Sequence, residues 1–168
     1  AHGLGQVPEL IITKETSSAD WIVYTTAIDD SMDFLRLNTS AAKSDSSLSV
    51  PTADFFRSRG SSSDIVNYCF HSVDGYQKVG TYAGASTTNP STTGFRPRFV
   101  LIKKYTGTDD WILYDSIRGE DKKLRANQSN VEDSTRDDLD FTSTGFTLKG
   151  SYGLTNASGQ SYIYLAIA

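Results

Sequence analysis

The residues best suited to chemistry are two clusters of carboxylates. They are Asp29, Asp30 and Asp33, and then Glu132, Asp133, Asp137, Asp138 and Asp140. Paired carboxylates can act as general acid and base, and alternating oxygen ligands in a tight loop can bind calcium. The second cluster lacks the turn glycine and the final bidentate glutamate of a calcium loop. The sequence therefore predicts a solvated acidic loop without a metal site. A glycan-processing enzyme that uses Asp137 and Asp138 is the weakest alternative.

Nucleophilic catalysis has few candidate residues. The histidines are His2, near the first residue, and His71, which follows the apolar Phe70. A serine nucleophile needs a histidine base that an acid orients, and no Gly-x-Ser-x-Gly turn is present. The single cysteine, Cys69, lies in an apolar run, which favours a buried small hydrophobe over a reactive thiol. We predict that the chain is not an enzyme and uses no cofactor.

Aromatic side chains are the remaining resource for binding. Two repeated Asp-Trp-Ile blocks contain Trp21, Tyr24, Trp111 and Tyr114. These rings could stack on sugars, but a tryptophan in a repeated hairpin is more often the core residue of its module, so we predict that all four form the structural core. The candidates for an exposed binding or assembly surface lie in or near predicted turns, and they are Tyr76, Tyr82, Tyr105 and Tyr152.

The composition argues against two classes of partner, nucleic acids and membranes. The formal net charge is −4 and the pI is about 5.1, whereas a nucleic-acid-binding protein needs a basic stripe. No apolar run approaches the roughly 20 residues of a membrane-spanning helix. We therefore predict neither a nucleic-acid partner nor membrane insertion. The first residues lack a signal-peptide pattern, and we expect the chain to be an excerpt or processed form of a longer protein.

Four blocks of sequence recur in the same order. Gly5–Lys14 matches Gly94–Lys103 and Leu35–Asn38 matches Leu124–Asn127, both at an offset of 89 residues. The other two matches are Asp20–Tyr24 with Asp110–Tyr114 at 90, and Ile65–Phe70 with Tyr162–Ile167 at 97. The offset changes only in the polar stretches between blocks, where loops tolerate insertions. We interpret the chain as two tandem copies of one β-rich module.

The predicted fold is an all-β antiparallel β-sandwich with a pseudo-two-fold relation between the copies. Residues 1–82 form the first copy and a linking hairpin, 83–93 form a Ser/Thr/Gly-rich connecting loop, and 94–168 form the second copy. Asp140–Leu148 is predicted to add one strand with a bulge at Gly145, and Ser49–Phe56 is interpreted as its degenerate counterpart. Each copy alone is small, so the two are expected to share one core.

Polar residues beside the repeated tryptophans have a structural interpretation. Asp20 and Asp110 directly precede them and are predicted to cap the hairpin turn through an Asx-type bond. Asn38, Asn127 and Asn156 each begin an Asn-x-Ser/Thr sequence. The first two are equivalent in the repeat, so a structural asparagine in a turn explains them without glycans.

Several motifs carry a family resemblance. The second copy contains GFRPRFVLIKK, DDWILYDSIRG, LRANQS, DFTSTGFTLKGS and NASGQSYIYLAIA, and the first contains HGLGQVPELIITK, DWIVY and LRLN. These motifs resemble a repeated domain of phage and prophage structural proteins, which is frequent in tail-fibre-like and other virion appendage proteins. The resemblance covers essentially the whole chain. It implies an all-β virion component and provides no catalytic residues.

Two function classes follow. The leading hypothesis is a non-enzymatic structural subunit of a phage particle or similar extracellular assembly, as a tail fibre, appendage or decoration. Such a subunit contacts itself as a homo-oligomer and other virion proteins, and unpaired sheet edges are natural contact surfaces. The alternative is a module that binds a carbohydrate or host receptor, with a cell-surface glycan as its partner. Both place the protein on a virion or extracellular particle.

Overall fold

In the computed structural model, which describes residues 1–59 and 63–168, the described chain contains β-strands and no helix. The strands are β1 (Leu10–Glu15), β2 (Ile22–Thr25), β3 (Asp33–Arg36), β4 (Ser44–Asp45), β5 (Ile65–Phe70), β6 (Gln77–Ala83), β7 (Asn89–Thr92), β8 (Phe99–Lys104), β9 (Ile112–Asp115), β10 (Lys123–Arg125), β11 (Leu139–Thr142), β12 (Gly145–Leu148) and β13 (Ser161–Ile167). The strand pairs are antiparallel, and the predicted all-β class is confirmed. Among the described residues, no helix is long and apolar enough to cross a membrane.

The strands form three sheets. The first sheet has the order β4-β3-β2-β1-β5, the second has the order β10-β9-β8-β13-β6, and the third has the order β11-β12-β7. The second sheet lies between the other two. One of its faces packs on the first sheet around Leu101 and Leu165, and its other face packs on the third sheet around Tyr114 and Phe146. Because both of its faces are covered, β8 carries a continuous apolar run.

Four strands of the first sheet correspond to four strands of the second. β1 pairs Leu10 with Thr25 of β2, and β8 pairs Phe99 with Asp115 of β9. On the other side, β1 pairs Leu10 with Phe70, and β8 pairs Phe99 with Ile167. These partners occupy equivalent positions at the offsets of the repeat. The equal strand order and register support the interpretation of two tandem copies.

Polar contacts attach the first sheet to the second. The Trp111 indole Nε1 donates a hydrogen bond to the Arg36 carbonyl across the two sheets at 2.8 Å. Lys103 is fully buried, and its Nζ donates to the carbonyls of Lys104 at 2.7 Å and Ser40 at 3.3 Å. Burial lowers the pKa of Lys103 to about 8. The contacts are not reciprocal, because Trp21, the counterpart of Trp111, has no such indole bond in the described chain.

The segment between the two copies differs from its prediction. Residues 83–93 were expected to be a connecting loop, but β6 extends to Ala83 and β7 occupies Asn89–Thr92. β6, which we placed with the first copy, pairs with β13 in the second sheet. Pro90 lies in β7, an edge strand of the third sheet, and pairs with Thr147 of β12. A proline is tolerated there because the outer side of an edge strand needs no N–H donor.

The predicted bulged strand Asp140–Leu148 is a hairpin. β11 and β12 pair with each other, and Thr142 lies opposite Gly145. A side chain at position 145 would place its Cβ 2.1 Å from the Ser91 carbonyl oxygen of β7. The glycine therefore permits a close approach between two backbones, and the prediction of a bulge is wrong.

The first copy has a loop where the second copy has this hairpin. Ser49–Phe56 contains no strand, so its interpretation as a degenerate strand is wrong. Leu48 and Phe56 instead pack on the outer face of the first sheet, against a small cluster of Ile11, Tyr24 and Met32. A loop covers a sheet face less completely than a paired hairpin, and the two copies differ most at this place.

Candidate functional site

The carboxylates of the acidic loop are engaged in ion pairs. Asp137 and Asp140 both contact the Lys149 ammonium, at 2.6 and 2.7 Å. Glu132 pairs with Arg118, and Asp133 accepts hydrogen bonds from the backbone and hydroxyl of Thr135, which lower the pKa of Asp133. Within the described ranges, no group of three or more metal-ligating side chains could hold a metal ion. The loop is held by ion pairs and hydrogen bonds within the chain.

One of these carboxylates is buried. Asp138 is 4% exposed and its Oδ2 lies 3.0 Å from Nζ of Lys123, which is 2% exposed. Arg136 contacts the other oxygen of Asp138 at 3.3 Å. The Lys123 and Arg136 cations both lie over the Tyr152 ring, 5.5 and 4.9 Å from its centroid. A buried pair of this kind fixes how the acidic loop sits on the second sheet.

The first carboxylate cluster also has a lysine at its centre. The Lys43 ammonium contacts Asp33 at 2.8 Å and Asp45 at 2.7 Å, and it lies 3.5 Å from Asp29. Asp33 is fully buried, and desolvation raises the pKa of its carboxyl. The hydrogen bonds to these carboxylates raise the pKa of Lys43. This cluster ties the loop after β3 to the first sheet.

Three of the four predicted core aromatics are buried. Trp111, Tyr24 and Tyr114 are 1%, 4% and 0% exposed. Trp21 is only half-buried, so its prediction as a core residue is wrong. The turn around it matches the turn at Trp111, because Asn38 and Asn127 accept equivalent bonds from the two tryptophan backbone amides. The difference lies in what covers each indole, which depends on the packing of the sheets.

The turn aspartates act across the hairpin. Asp20 contacts the Asn38 amide at 2.9 Å and Arg36 at 3.0 Å, and Asp110 contacts Asn127 and Arg125 in the equivalent way. The predicted Asx-type cap is therefore replaced by bonds to the next strand and to the turn that follows it. Asn156 is fully buried and accepts a bond from the Ala85 amide. The asparagines of the three Asn-x-Ser/Thr sequences therefore all make hydrogen bonds within the fold.

The candidate surface tyrosines have different surroundings. Tyr76 is 57% exposed, as predicted for a surface residue. Tyr82 stacks on Tyr162 at 5.1 Å and donates a hydrogen bond to the Thr155 carbonyl, so its prediction as an exposed residue is wrong. Tyr105 is half-buried against the core between the first two sheets. Tyr152 is half-buried under the two cations described above. The four tyrosines do not form one surface.

A groove lies on the outer face of the first sheet. Two adjoining cavities of about 250 and 90 Å³ share Ile22, Tyr24 and Arg59. Arg59 is exposed, and its backbone hydrogen-bonds with Tyr24. The counterparts of Ile22 and Tyr24 in the second sheet are fully buried under the third sheet. The groove therefore exists where a loop takes the place of the hairpin.

The outer side of β5 is an open sheet edge. Thr16 N donates to the Asp64 carbonyl at 2.9 Å, which fixes the alternation of an antiparallel pair. Residues 64, 66, 68 and 70 direct their backbone groups toward β1. Ile65, Asn67 and Cys69 direct their N–H and C=O groups away from it, and no described residue bonds to these groups. We call the backbone groups of these three residues the open edge.

The counterpart of the open edge is closed. The equivalent residues of β13 are Tyr162, Tyr164 and Ala166, and they pair with β6. The side chains differ in the same way. Val66 and Tyr68 of β5 are 48% and 49% exposed, whereas their counterparts in β13, Ile163 and Leu165, are 1% and 3% exposed. Among residues 1–59 and 63–168, the first sheet therefore has no strand at the place where the second sheet has β6.

The other sheet edges carry protections, and on the edge strand β11 the Phe141 amide donates to Glu120 while its carbonyl accepts from Arg96. β4 and β10 have only two and three residues, and the edge strand β7 contains Pro90. On β6, Val73 exchanges backbone bonds with Gln77, and the Ser72 hydroxyl accepts a bond from the Val79 amide. Short strands, prolines and covering loops are the usual protections of an edge. In the described chain, β5 has six residues and no proline. Ala1, His2 and Leu4 line a cavity together with Asn67 and Cys69, but none of these three residues bonds to the outward backbone groups of β5.

Sequence reasoning missed the open edge as a specific site. The available signal was the composition of β5, Ile-Val-Asn-Tyr-Cys-Phe, which contains no charged residue, proline or glycine. His71 and Cys69, which we considered for catalysis, lie at the end of this strand. The His71 ring contacts the Ser72 carbonyl at 2.9 Å, and burial raises the pKa of the Cys69 thiol.

Comparison with known proteins gives one match. The sequence matches the model of a protein family over residues 1–168, and that family is described as a domain of unknown function (DUF7483). No curated protein and no solved structure matches the chain.

Proposed function

The chain belongs to the DUF7483 family, a domain of unknown function, and we propose that it is a non-enzymatic structural subunit that assembles through the open edge of its first sheet. The observation that supports this proposal is β5, whose outward backbone groups have no partner among the described residues. Strand addition to such an edge supplies main-chain hydrogen bonds, and side chains on alternate positions supply specificity. Val66 and Tyr68 are exposed at those alternate positions.

The setting of the assembly is part of the same proposal. The repeated motifs resemble those of phage structural proteins, which supports a tail fibre, appendage or decoration subunit of a phage particle or similar extracellular assembly. In that setting the partners are copies of this chain and other virion proteins. Four of the nine exposed large hydrophobic residues of the described chain lie in β5 or the turn after it, and they are Val66, Tyr68, Val73 and Tyr76.

The matched substitutions Val66→Lys and Val131→Lys test the proposal. A charge on an edge strand opposes strand addition, so Val66→Lys is expected to raise the dissociation constant of the assembly about tenfold or more. Val131 is 89% exposed and lies in the acidic loop, so Val131→Lys should leave assembly unchanged. Sedimentation velocity over a wide concentration range measures both. Equal assembly of the two variants, or a wild-type protein that stays monomeric and binds no added strand, would contradict the proposal.

A second candidate function is glycan binding, which the groove on the first sheet favours. Its larger cavity is slightly below the roughly 300 Å³ at which ligand pockets begin, so it suits a single sugar ring. Phe34 and Tyr24 give it an aromatic lining, and Arg59 can pair with an acidic sugar. Arg59→Ala is expected to abolish binding on a glycan array, while Arg57→Ala preserves it. Absence of wild-type binding to acidic glycans would refute this function.

A further inference from the structure

The sequence of β5 restricts which strand can occupy the open edge. The strand has no charged residue along Ile65–Phe70, so a partner strand needs no complementary charges. Its outward backbone groups belong to residues 65, 67 and 69 and are therefore symmetric about Asn67. A strand whose hydrogen-bonding groups are symmetric about one residue can pair with an identical antiparallel strand. An isologous contact of this kind gives a closed dimer.

We propose that the occupant of the open edge is β5 of a second copy of this chain, paired antiparallel about a two-fold axis at Asn67. This inference rests on the proposed function and names its partner. In this register Asn67 lies opposite Asn67 of the second copy, and Ile65 lies opposite Cys69. Both are hydrogen-bonded pairs, because these residues direct their backbone groups outward. The two first sheets then form one continuous sheet of ten strands, since each has five.

The exposed side chains of β5 fit this register. Val66 lies opposite Tyr68 of the second copy, and Tyr68 lies opposite Val66, as non-hydrogen-bonded pairs whose side chains are close. A pair of an aromatic and a β-branched residue is among the favourable cross-strand combinations. The two residues are about half exposed in the single chain. In this register, each of them is covered in both copies by its partner residue from the other copy. At the end of the strand, Asp64 lies opposite Phe70, and no like charges meet.

The pairing of β13 with β6 within one chain shows the geometry that the dimer would reproduce. β13 has β8 on one side and β6 on the other, over seven consecutive pairs from Ser161–Ala83 to Ile167–Gln77. β5 has β1 on one side, in the register that β13 has with β8. A second β5 on its free side gives the first sheet the same closure that β6 gives the second.

A disulfide between single cysteines tests the register. Cys69→Ala gives a cysteine-free background that carries the residue found at the equivalent position, Ala166. In this background Asn67→Cys places two cysteines opposite each other at a Cα separation of about 5.5 Å, which is within the range of a disulfide. Mild oxidation should convert most of the protein to a covalent dimer on a non-reducing gel. Thr81→Cys, exposed on β6, is the matched control and should stay monomeric.

Two further variants test the register of the pairing and control for any damage that Asn67→Cys does to the fold. Ile65→Cys with native Cys69 retained should also form a covalent dimer, because these positions face each other. It leaves intact the hydrogen bond between Thr13 and Asn67, which Asn67→Cys removes. Val66→Cys in the Cys69→Ala background should crosslink poorly, because its own copy lies diagonally across the interface. If Val66→Cys crosslinks best, or if neither predicted variant exceeds the Thr81→Cys control, the inference is overturned.

Binding of a strand peptide shows whether failed crosslinks contradict only this inference or also the proposed function. The probe is a labelled peptide of residues 77–83, the sequence of β6. When the crosslinks fail but the peptide binds wild type and not Val66→Lys, the edge accepts a strand and the second copy is the wrong occupant. When the peptide also fails to bind, the proposed assembly through the open edge is overturned as well.

Discussion

Replacing Trp111 by alanine is expected to lower the free energy of unfolding by about 3–5 kcal/mol, the usual cost of removing a large buried aromatic. Trp111 is 1% exposed and lies between the first and second sheets. Its indole also donates to the Arg36 carbonyl, so the substitution leaves a cavity and removes the shorter of two hydrogen bonds to that carbonyl, which also accepts from the Thr39 amide at 3.4 Å. Chemical denaturation followed by circular dichroism measures the loss.

Trp21→Ala is the matched control, because it removes the same side chain from the equivalent position of the other copy. Trp21 is half-buried and outside the core clusters of the described chain, so we expect a loss of about 1 kcal/mol. Trp111→Phe keeps most of the packing and removes the hydrogen bond, and it should cost an intermediate amount. Equal losses of stability for the two alanine variants would contradict the packing described here, in which only Trp111 is buried between the sheets.

Asp138→Ala should cost about 3–5 kcal/mol, because removing one partner of a buried ion pair leaves the other charge without its closest counter-ion. The charge left behind is the Lys123 ammonium, which is 2% exposed. Its other nearby partners are the Arg136 carbonyl at 2.9 Å and Asp133 at 4.0 Å. Thermal and chemical unfolding of the purified variant measure the loss.

The neighbouring Asp137 provides the control for that substitution. Its side chain is 62% exposed and contacts Lys149, so Asp137→Ala should cost about 1 kcal/mol or less. Adding Lys123→Met to Asp138→Ala removes the buried charge that has lost its closest counter-ion and should recover much of the lost stability. A double variant that is less stable than Asp138→Ala would mean that the lysine stabilises the fold by itself.

Much of the fold could be predicted from local patterns in the sequence. The repeated apolar blocks predict β1, β2 and β5 and their counterparts, since apolar and alternating runs are local features. β7 was not predicted, because the pairing of Pro90 with Thr147 joins segments far apart in the chain. Gly145 was assigned a bulge for the same reason, as the close approach of β7 cannot be deduced from neighbouring residues.

The candidate site was harder to predict than the strands. Trp21 and Trp111 have the same local sequence and the same turn, yet only Trp111 is buried. Tyr82 directly precedes the predicted connecting loop but lies against the core next to Tyr162. Burial depends on which sheet packs over a residue, and an open edge depends on the order of strands in a sheet. Both properties arise from contacts between distant segments.

Residue-resolved amide hydrogen exchange, recorded at low and at high protein concentration, tests assembly through the open edge. Exchange slows when an amide becomes hydrogen-bonded and protected. The Ile65, Asn67 and Cys69 amides should exchange quickly in dilute protein and slowly in concentrated protein, while Val66 and Tyr68, which bond to β1, should be protected in both. Protection that appears at high concentration elsewhere on the chain, with these three amides still exchanging quickly, would contradict the proposal.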